Sequence, residues 1–563
     1  MLWRVLNPDP HLTRELARAL NVPSLLASLL VNRGVRDMAA ARGFIDPQLE
    51  GLEDPFLMSG LDVAVSRILQ AVRLQEKVLI YGDYDVDGTT AVVILRKALE
   101  ILGLQASYWI PRRLVDGYGM QEDVVTQAAA DGVRLIISVD TGIKAFEVVE
   151  KVNQLGLDCI ITDHHVPENG LPRALAVLNP KRPDCPYPNK NLCGVGVAFK
   201  LVQALFMKTG KEKYLQPFLK IVAIGTIADA VPLIGENRIF AKLGLEGLKA
   251  PVNAGLRSLI EVSGLEGRPI TSSDVGFRLA PRINAVGRMG GGDQAVELFS
   301  ANDGEKARLL AVELDRLNRE RQQIEDQILK EIDEQLQTQP PHEQDLVLVI
   351  DGENWHRGVI GIAATKLMER FHRPVLVIAK EGQIGYGSGR SPKGFPLLEA
   401  LDHCRTLFDR FGGHAQAVGF QIPVQSIDLL RQRVNSYARG VAGSADLQAV
   451  VEIDAEVRLS DLDEDCFRQI DRLSPFGTGN PQPTFAARDL TVIAEPRSLR
   501  GKHLKFRVEQ DGKAMDAVGW NLYDRYRDRL RPESGVSLAF ALALNTFQQM
   551  KSLQLVVKDI QFP

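Results

Sequence analysis

Val78-Leu-Ile-Tyr-Gly-Asp-Tyr-Asp-Val-Asp-Gly-Thr-Thr90 joins a short β-forming run to three aspartates on alternate positions. Val78 to Tyr81 is apolar without interruption, as in a strand buried on both faces, and Gly82 ends it. On an extended segment Asp83, Asp85 and Asp87 point to one side. Three carboxylates so close repel one another unless a cation neutralises them. The same residues also read as a solvated turn opening a helix, since aspartate is a good N-cap.

Further along, the texture repeats. Leu135-Ile-Ile-Ser-Val139 runs into Asp140, Cys159-Ile-Ile-Thr162 runs into Asp163-His164-His165, and Ala174-Leu-Ala-Val-Leu178 forms another strand-like run. Helical patterns near 90–102, 122–130 and 145–155 alternate with these runs, which predicts an α/β fold around a buried parallel sheet. Right-handed crossovers then bring the C-terminal strand ends to one edge, where such sheets bind ligands. A further carboxylate, Asp229 in Ile227-Ala-Asp-Ala-Val231, sits among apolar residues and needs a partner. Carboxylate oxygens with one or two imidazoles suit Mn²⁺ or Mg²⁺ better than zinc. With so many acids, two ions bridged by one aspartate is the natural arrangement, and such a pair clamps a phosphodiester for hydrolysis.

The rest of the chain frames this unit. Its 563 residues carry a net charge of −4, so nucleic-acid contact must come from a local groove and not from overall charge. Five scattered cysteines without a C-x-x-C pair argue against a disulfide framework or zinc ribbon. No serine-nucleophile elbow and no P-loop motif is present. No apolar run approaches the ~20 residues of a membrane span, and no signal core opens the chain, so a cytoplasmic location is expected. Residues 1–75 read as short helical pieces, and 195–300 as largely helical. From Glu305 to Leu336 an amphipathic helix of about 45 Å, with Leu310, Leu314, Leu317, Ile324 and Ile328 on one stripe, reads as a spacer joining two lobes. The apolar repeat covers too few heptads to favour a coiled-coil dimer. A second α/β unit begins at Leu346-Val-Leu-Val-Ile350, and short strands at 450–458, 485–493, 503–509, 514–519, 536–544 and 553–558 predict a small β-barrel or sandwich. The expected division is a helical cap at 1–75, a catalytic lobe at 76–300, a connecting helix at 301–340, a second lobe at 341–447 and a barrel at 448–563.

These motifs resemble the DHH phosphoesterase superfamily, which takes its name from the Asp163-His164-His165 triplet, and within it the RecJ family of single-stranded-DNA exonucleases. The likeness extends over Tyr81–Thr90, Val139-Asp-Thr-Gly142, Thr162-Asp-His-His165, Leu192-Cys-Gly-Val-Gly-Val197, Thr226-Ile-Ala-Asp-Ala-Val-Pro-Leu233 and Arg282-Ile-Asn-Ala-Val-Gly-Arg288. In the second lobe it covers Gly358-Val-Ile-Gly-Ile-Ala363, Gly387-Ser-Gly-Arg390 and Gly412-Gly-His-Ala-Gln-Ala-Val-Gly419. It implies a DHH domain, a DHHA1 substrate-binding domain and an oligonucleotide-binding (OB) barrel. It implies one metal on Asp83, Asp85 and the bridging Asp140, and another on Asp87, Asp140, His164 and Asp229. Tyr81 stands where many relatives carry a histidine, and Asp83 is expected to compensate. In the implied catalytic set of Asp85, Asp140, Asp163, His164 and His165, Asp163 holds an imidazole and His165 contacts phosphate or orients water. The implied activity is 5′→3′ degradation of single-stranded DNA to mononucleotides in repair and recombination. A monomer assisted by a helicase and a single-strand-binding protein is expected.

Other residues face a substrate in this reading. Ser388, Arg390, Gly412, Gly413 and His414 offer backbone N–H groups, a hydroxyl, a guanidinium and an imidazole, a set suited to a terminal phosphate. Arg282 and Arg288, flanking Asn284, look like further phosphate contacts, with a structural salt bridge as the other reading of Arg282. Arg497, Arg500, Lys502, His503, Lys505 and Arg507, with Phe506 and Trp520, could track a single strand, and Tyr118 could stack on a base. His356 opens the second lobe's first helix without a defined role. Two other functions compete: a phosphodiesterase for short RNA or cyclic dinucleotides, and a non-catalytic nucleic-acid-binding scaffold. The barrel favours a long polymer, and the complete acid set favours an enzyme.

Overall fold

The structure is a computed structural model that describes residues 1–112, 116–117, 119–168, 170–291, 293–340, 345–441, 449–547 and 550–563. Five parallel strands build the catalytic lobe: β1 (Lys77–Tyr81), β2 (Ala106–Trp109), β3 (Val133–Val139), β4 (Asp158–Thr162) and β5 (Ala176–Leu178). Their order is β2-β1-β3-β4-β5. Along β3, Leu135, Ile137 and Val139 enter the core on one face while Ile136 enters the core on the other. That is why the run is apolar throughout. β2 escapes sequence reading because Ser107, Tyr108 and Trp109 on this edge strand are only partly covered, which breaks the apolar run. The chain leaves β1 for one side of the sheet and returns to the other at β3, so a crevice opens at the C-terminal ends of β1 and β3.

The helices α1 (Val86–Ile101), α2 (Gly194–Thr209) and α3 (Leu215–Ala228) pack together over this sheet, and α4 (Ala280–Arg288) adjoins them. The connecting helix α5 (Gly304–Thr338) is 35 residues long. Ala311, Leu314 and Leu317 belong to the core of the catalytic lobe, whereas Ile328 and Ile332 belong to a core of the second lobe. Both ends of α5 are thus anchored, and it acts as a strut. The second lobe has β6 (Leu348–Glu353), α6 (Ile360–Phe371), β7 (Val375–Glu381), β8 (Ile384–Arg390), β9 (Arg410–His414) and β10 (Ala417–Pro423). Its sheet order is β9-β10-β8-β7-β6, parallel only between β6 and β7.

The C-terminal barrel is formed by β11 (Phe485–Val492), β12 (His503–Gln510), β13 (Lys513–Gly519), β14 (Gly535–Phe547) and β15 (Met550–Gln561). Pairing of Thr491 with Glu509 and Val492 with Val508 closes it. The strand expected at 450–458 divides: Val450–Ile453 pairs in parallel with Leu2–Val5, outside the barrel sheet, while Ala455–Glu456 pairs in parallel with Phe485–Ala486 of β11. The first element of the expected helical cap is therefore a strand. Leu16, Leu26, Leu29 and Phe44 from the next helices share one core with Phe485, Leu504 and Phe540 of the barrel, whereas Leu61–Leu74 packs into the catalytic lobe. The fully buried Arg238 donates to the carbonyls of Phe44, Leu473 and Ser474, tying cap and barrel to the catalytic lobe. Among the described residues no single helix is long and apolar enough to cross a membrane.

Candidate metal centre and phosphate site

The acids predicted from the sequence converge in the crevice at the ends of β1, β3 and β4. Oxygens of Asp83, Asp85 and Asp140 lie within 4.8 Å of one another. So do ligand atoms of Asp87, His164 and Asp229, and those of Asp140, His164 and His165. Asp85 satisfies both readings of its motif. One carboxylate oxygen caps α1 by accepting from the Gly88 N–H at 3.0 Å, and the side chain still reaches Asp83 and Asp140. Asp87 is held by the start of α2, accepting from the N–H groups of Gly194 at 2.5 Å and Val195 at 2.7 Å, where the helix end favours an anion. Asp140 follows β3 with a left-handed φ of 60°, which aspartate and asparagine tolerate better than most residues. A Cβ at Gly194 would lie 2.5 Å from the Asp140 Cβ, so α2 can begin here only with glycine.

His164 Nε2 is 3.2 Å from Asp140 Oδ1, 3.8 Å from Asp87 Oδ2 and 3.8 Å from Asp229 Oδ2. Burial, reinforced by His165, holds its value down to about 3, so the ring is neutral and able to ligate. Burial and neighbouring carboxylates push Asp87 up to about 7 and Asp229 up to about 9, and Asp140 well above the usual carboxylate range. Asp140 Oδ1 is buried and accepts no hydrogen bond among the described residues. Hard oxygens, a neutral imidazole and an unsatisfied buried carboxylate oxygen fit divalent cations such as Mn²⁺ or Mg²⁺.

Asp163 has a different task. Its Oδ1 accepts from the N–H groups of His164 at 2.7 Å and His165 at 3.0 Å and pairs with His165 Nδ1 at 2.7 Å, while Oδ2 accepts from Ile143 N–H at 2.9 Å. Burial alone would lower His165, but the Asp163 hydrogen bond and charge outweigh it and hold the imidazole above its ordinary value. Asn179, fully buried after β5, donates to the His165 carbonyl at 2.8 Å. The sequence reading missed this asparagine because nothing in its type or spacing reveals what it braces.

Across the cleft, Ser388 and Arg390 lie two residues apart on β8, and Arg390 Nη1 approaches Ser388 Oγ at 3.3 Å. They face the first turn of α6: a Cβ at Gly361 would lie 2.9 Å from Ser388 Oγ and 3.3 Å from Arg390 Nη2. Hydroxyl, guanidinium and helix start are groups of the kind that can hold an anion. Gly412, Gly413 and His414 form the exposed β9 edge. Burial and then the charges of His165 and Lys144 hold His414 below its ordinary value.

Other expected contacts fall elsewhere. Arg282 pairs with Asp315 of α5, with Nε at 3.0 Å and Nη2 at 2.8 Å, so it makes the structural salt bridge and not a phosphate contact. Asn284 is likewise turned to support, accepting from the Val86 N–H at 3.2 Å beneath the aspartate loop. Arg288 donates to the Gly358 carbonyl at 2.9 Å and links the two lobes. In the barrel Phe506 is core, against the expectation that it stacks on a strand, because it shares the inward parity of Leu504 and Val508. Trp520 is 57% exposed beside His503, with ring centroids 4.9 Å apart. Arg497, Arg500 and Lys502 are exposed, while Lys505 lies 3.8 Å from Asp516. Tyr118 lies outside the described residues.

Residues 77–226 match the DHH family, N-terminal domain; residues 344–440 match the DHHA1 domain; and residues 453–559 match the RecJ OB domain. The single-stranded-DNA-specific exonuclease RecJ of Bacillus subtilis is 38% identical over 99% of this chain and 70% of its own length. The chain belongs to the RecJ family. Crystal structures of RecJ from Thermus thermophilus in complex with Mn²⁺ and with Mg²⁺ match all of the RecJ-family chain and 80% and 78% of their own lengths. Their TM-scores are 0.86 and 0.81 at 31% and 30% identity.

The raised carboxylates predict a pH dependence for this RecJ-family chain when stripped of metal. A carboxyl whose folded value exceeds its unfolded value binds protons more tightly in the native state, so native stability falls as pH rises between the two. For Asp87 that window runs from 3.8 to about 7, and for Asp229 from 3.8 to about 9. Each group costs up to about 1.4 kcal/mol per pH unit inside its window. The raised His165 acts in the same direction, because its stabilisation is lost as pH rises through its folded value. His164, held down to about 3, acts the other way up to its ordinary value of 6.5, so differential scanning fluorimetry in EDTA should show Tm falling most clearly from pH 6.5 to pH 8, and excess Mn²⁺ at the higher pH should restore it. A flat metal-free profile would contradict this electrostatic picture.

Proposed function

We propose that this chain is a single-stranded-DNA-specific exonuclease that works from the 5′ end and releases mononucleotides. What supports the reading is the carboxylate–imidazole cluster of the catalytic lobe together with the Ser388–Arg390 pair at the start of α6, a helix whose approach is tied to the catalytic lobe by the Arg288–Gly358 hydrogen bond. In this reading Asp83, Asp85 and Asp140 hold one divalent ion, and Asp87, Asp140, His164 and Asp229 hold the other. The ions, when bound, supply Lewis acidity and an activated water. The chain's own residues do the positioning. Ser388, Arg390 and the start of α6 fix the terminal phosphate, Asp163 orients His165 toward the phosphodiester, and His414 closes over the strand from β9. Because cleavage leaves a phosphate on the shortened strand, the same pocket can receive each new end. The exposed Arg497, Arg500, Lys502 and Trp520 guide the trailing strand by charge and stacking. The enzyme would act as a cytoplasmic monomer in repair and recombination, supplied with single strands by a helicase and a single-strand-binding protein.

The test is digestion of a 5′-phosphorylated, 3′-labelled single strand with Mn²⁺, beside a strand with a blocked 5′ end and a blunt duplex. Stepwise shortening of the first, with the other two persisting, is expected. Binding without cleavage would favour the scaffold reading, and hydrolysis confined to di- to pentanucleotides would favour a short-oligonucleotide phosphodiesterase.

A further inference from the structure

Each central strand of the catalytic sheet delivers polar groups to the crevice from its C-terminal end, and β5 follows the same rule. Immediately after β5 comes Asn179-Pro-Lys181. Asn179 is fully buried, and its two amide atoms join this turn to the metal motif. Nδ2 donates to the carbonyl of His165 at 2.8 Å, and Oδ1 accepts from the backbone N–H of Lys181 at 2.8 Å. Lys181 is therefore fixed to the His165 backbone through one rigid side chain. The other cations of this loop are spent on structure: Arg182 pairs with Asp184 and donates to the Val177 carbonyl, and Lys190 donates to the Cys185 carbonyl. Lys181 is half-buried, and its ammonium makes no hydrogen bond or ion pair among the described residues. Lys181 stands just beyond the C-terminal end of β5, beside β4 and on the sheet edge that carries Asp140 and Asp163–His165.

We propose that the Lys181 ammonium contacts a non-bridging oxygen of the scissile phosphodiester and stabilises the negative charge that builds there during hydrolysis. This rests on the metal-dependent nuclease reading above. In the step it serves, a water oxygen bonds to phosphorus and the bond from phosphorus to the 3′-oxygen of the terminal nucleotide breaks. One proton of the water ends on that 3′-oxygen, the other is released, and the shortened strand keeps the new 5′-phosphate. A lysine held outside the metal set suits this task, because it adds positive charge to the phosphate without competing for a ligand position. Its residue type and position in a proline turn gave no sign of this role in the sequence.

The experiment compares Lys181→Met, which keeps the aliphatic stem, and Lys181→Arg, which keeps the charge, with the parent. It measures kcat and KM on a 5′-phosphorylated single strand, Mn²⁺ affinity by calorimetry without DNA, and Tm. The inference expects kcat of Lys181→Met to fall about 10²-fold, with Mn²⁺ affinity and Tm held, and Lys181→Arg to recover most of the loss. It is overturned if kcat of Lys181→Met stays within about threefold of the parent, or if Mn²⁺ affinity falls in step with kcat, which would make Lys181 a support of the metal site. If Lys181→Met does not fold, the arginine variant decides: activity near the parent's upholds the charge role, and loss with Tm held rejects it. A parent that releases no nucleotide defeats the nuclease reading itself, an outcome distinct from an active parent indifferent to Lys181.

Discussion

Asp140→Asn should abolish nuclease activity while raising the stability of the metal-free protein. Asp140 is the residue common to the Asp83–Asp85 group and the His164–His165 group, and its Oδ1 also faces His164 Nε2 at 3.2 Å. In the proposed reading, losing its charge removes a ligand from both metal positions, and metal assistance is worth several kcal/mol of barrier, so kcat should fall at least ~10³-fold. The same change relieves burial of a carboxylate among carboxylates, which pushes Asp140 well above its usual range. Asparagine also accepts the left-handed backbone at this position. In EDTA the variant should therefore melt above the parent at pH 8, and Mn²⁺ should raise the parent's Tm but not the variant's. A variant that loses activity and melts lower in EDTA would mean that Asp140 is chiefly structural.

Arg390→Ala should erase the preference for a phosphorylated 5′ end. Hydrogen bonds to a charged group are worth about 1.5–3 kcal/mol, so kcat/KM on a 5′-phosphorylated strand should drop roughly 10- to 100-fold. The rate on a 5′-hydroxyl strand, which cannot use the pocket, should change by less than about threefold. The ratio of the two rates in parent and variant is the quantity to measure. Equal losses on both ends would mean that Arg390 holds β8 against α6 instead of reading the phosphate. Glycine at 361 leaves room for the guanidinium, and Gly361→Ala should produce a milder form of the same phenotype.

The catalytic sheet was legible where its strands are buried on both faces, because β1, β3 and β4 are then continuous apolar runs that end in acids or histidines. The edge strand β2 was not, since an exposed side interrupts the pattern. Asp83, Asp85, Asp87, Asp140, His164 and Asp229 announced themselves by residue type, and the fold brings them together. What brings them together was hidden. Gly194 and Asn179 act through what they touch, and no local pattern records a contact with a residue far along the chain. The same holds for Leu2–Val5 pairing with Val450–Ile453. Arg282 and Asn284 look like phosphate ligands in a string, yet one is neutralised by Asp315 and the other props the aspartate loop. Phe506 was readable after all: period-two alternation through Leu504 and Val508 points it inward.

The most direct check of the central claim is the number of Mn²⁺ ions bound per chain, counted by equilibrium titration with electron paramagnetic resonance detection of free Mn²⁺. Two ions in the parent, and fewer than one in Asp140→Asn, are predicted, because both positions share that carboxylate. Two ions in both proteins, or none in the parent under conditions where it cuts DNA, would contradict the account.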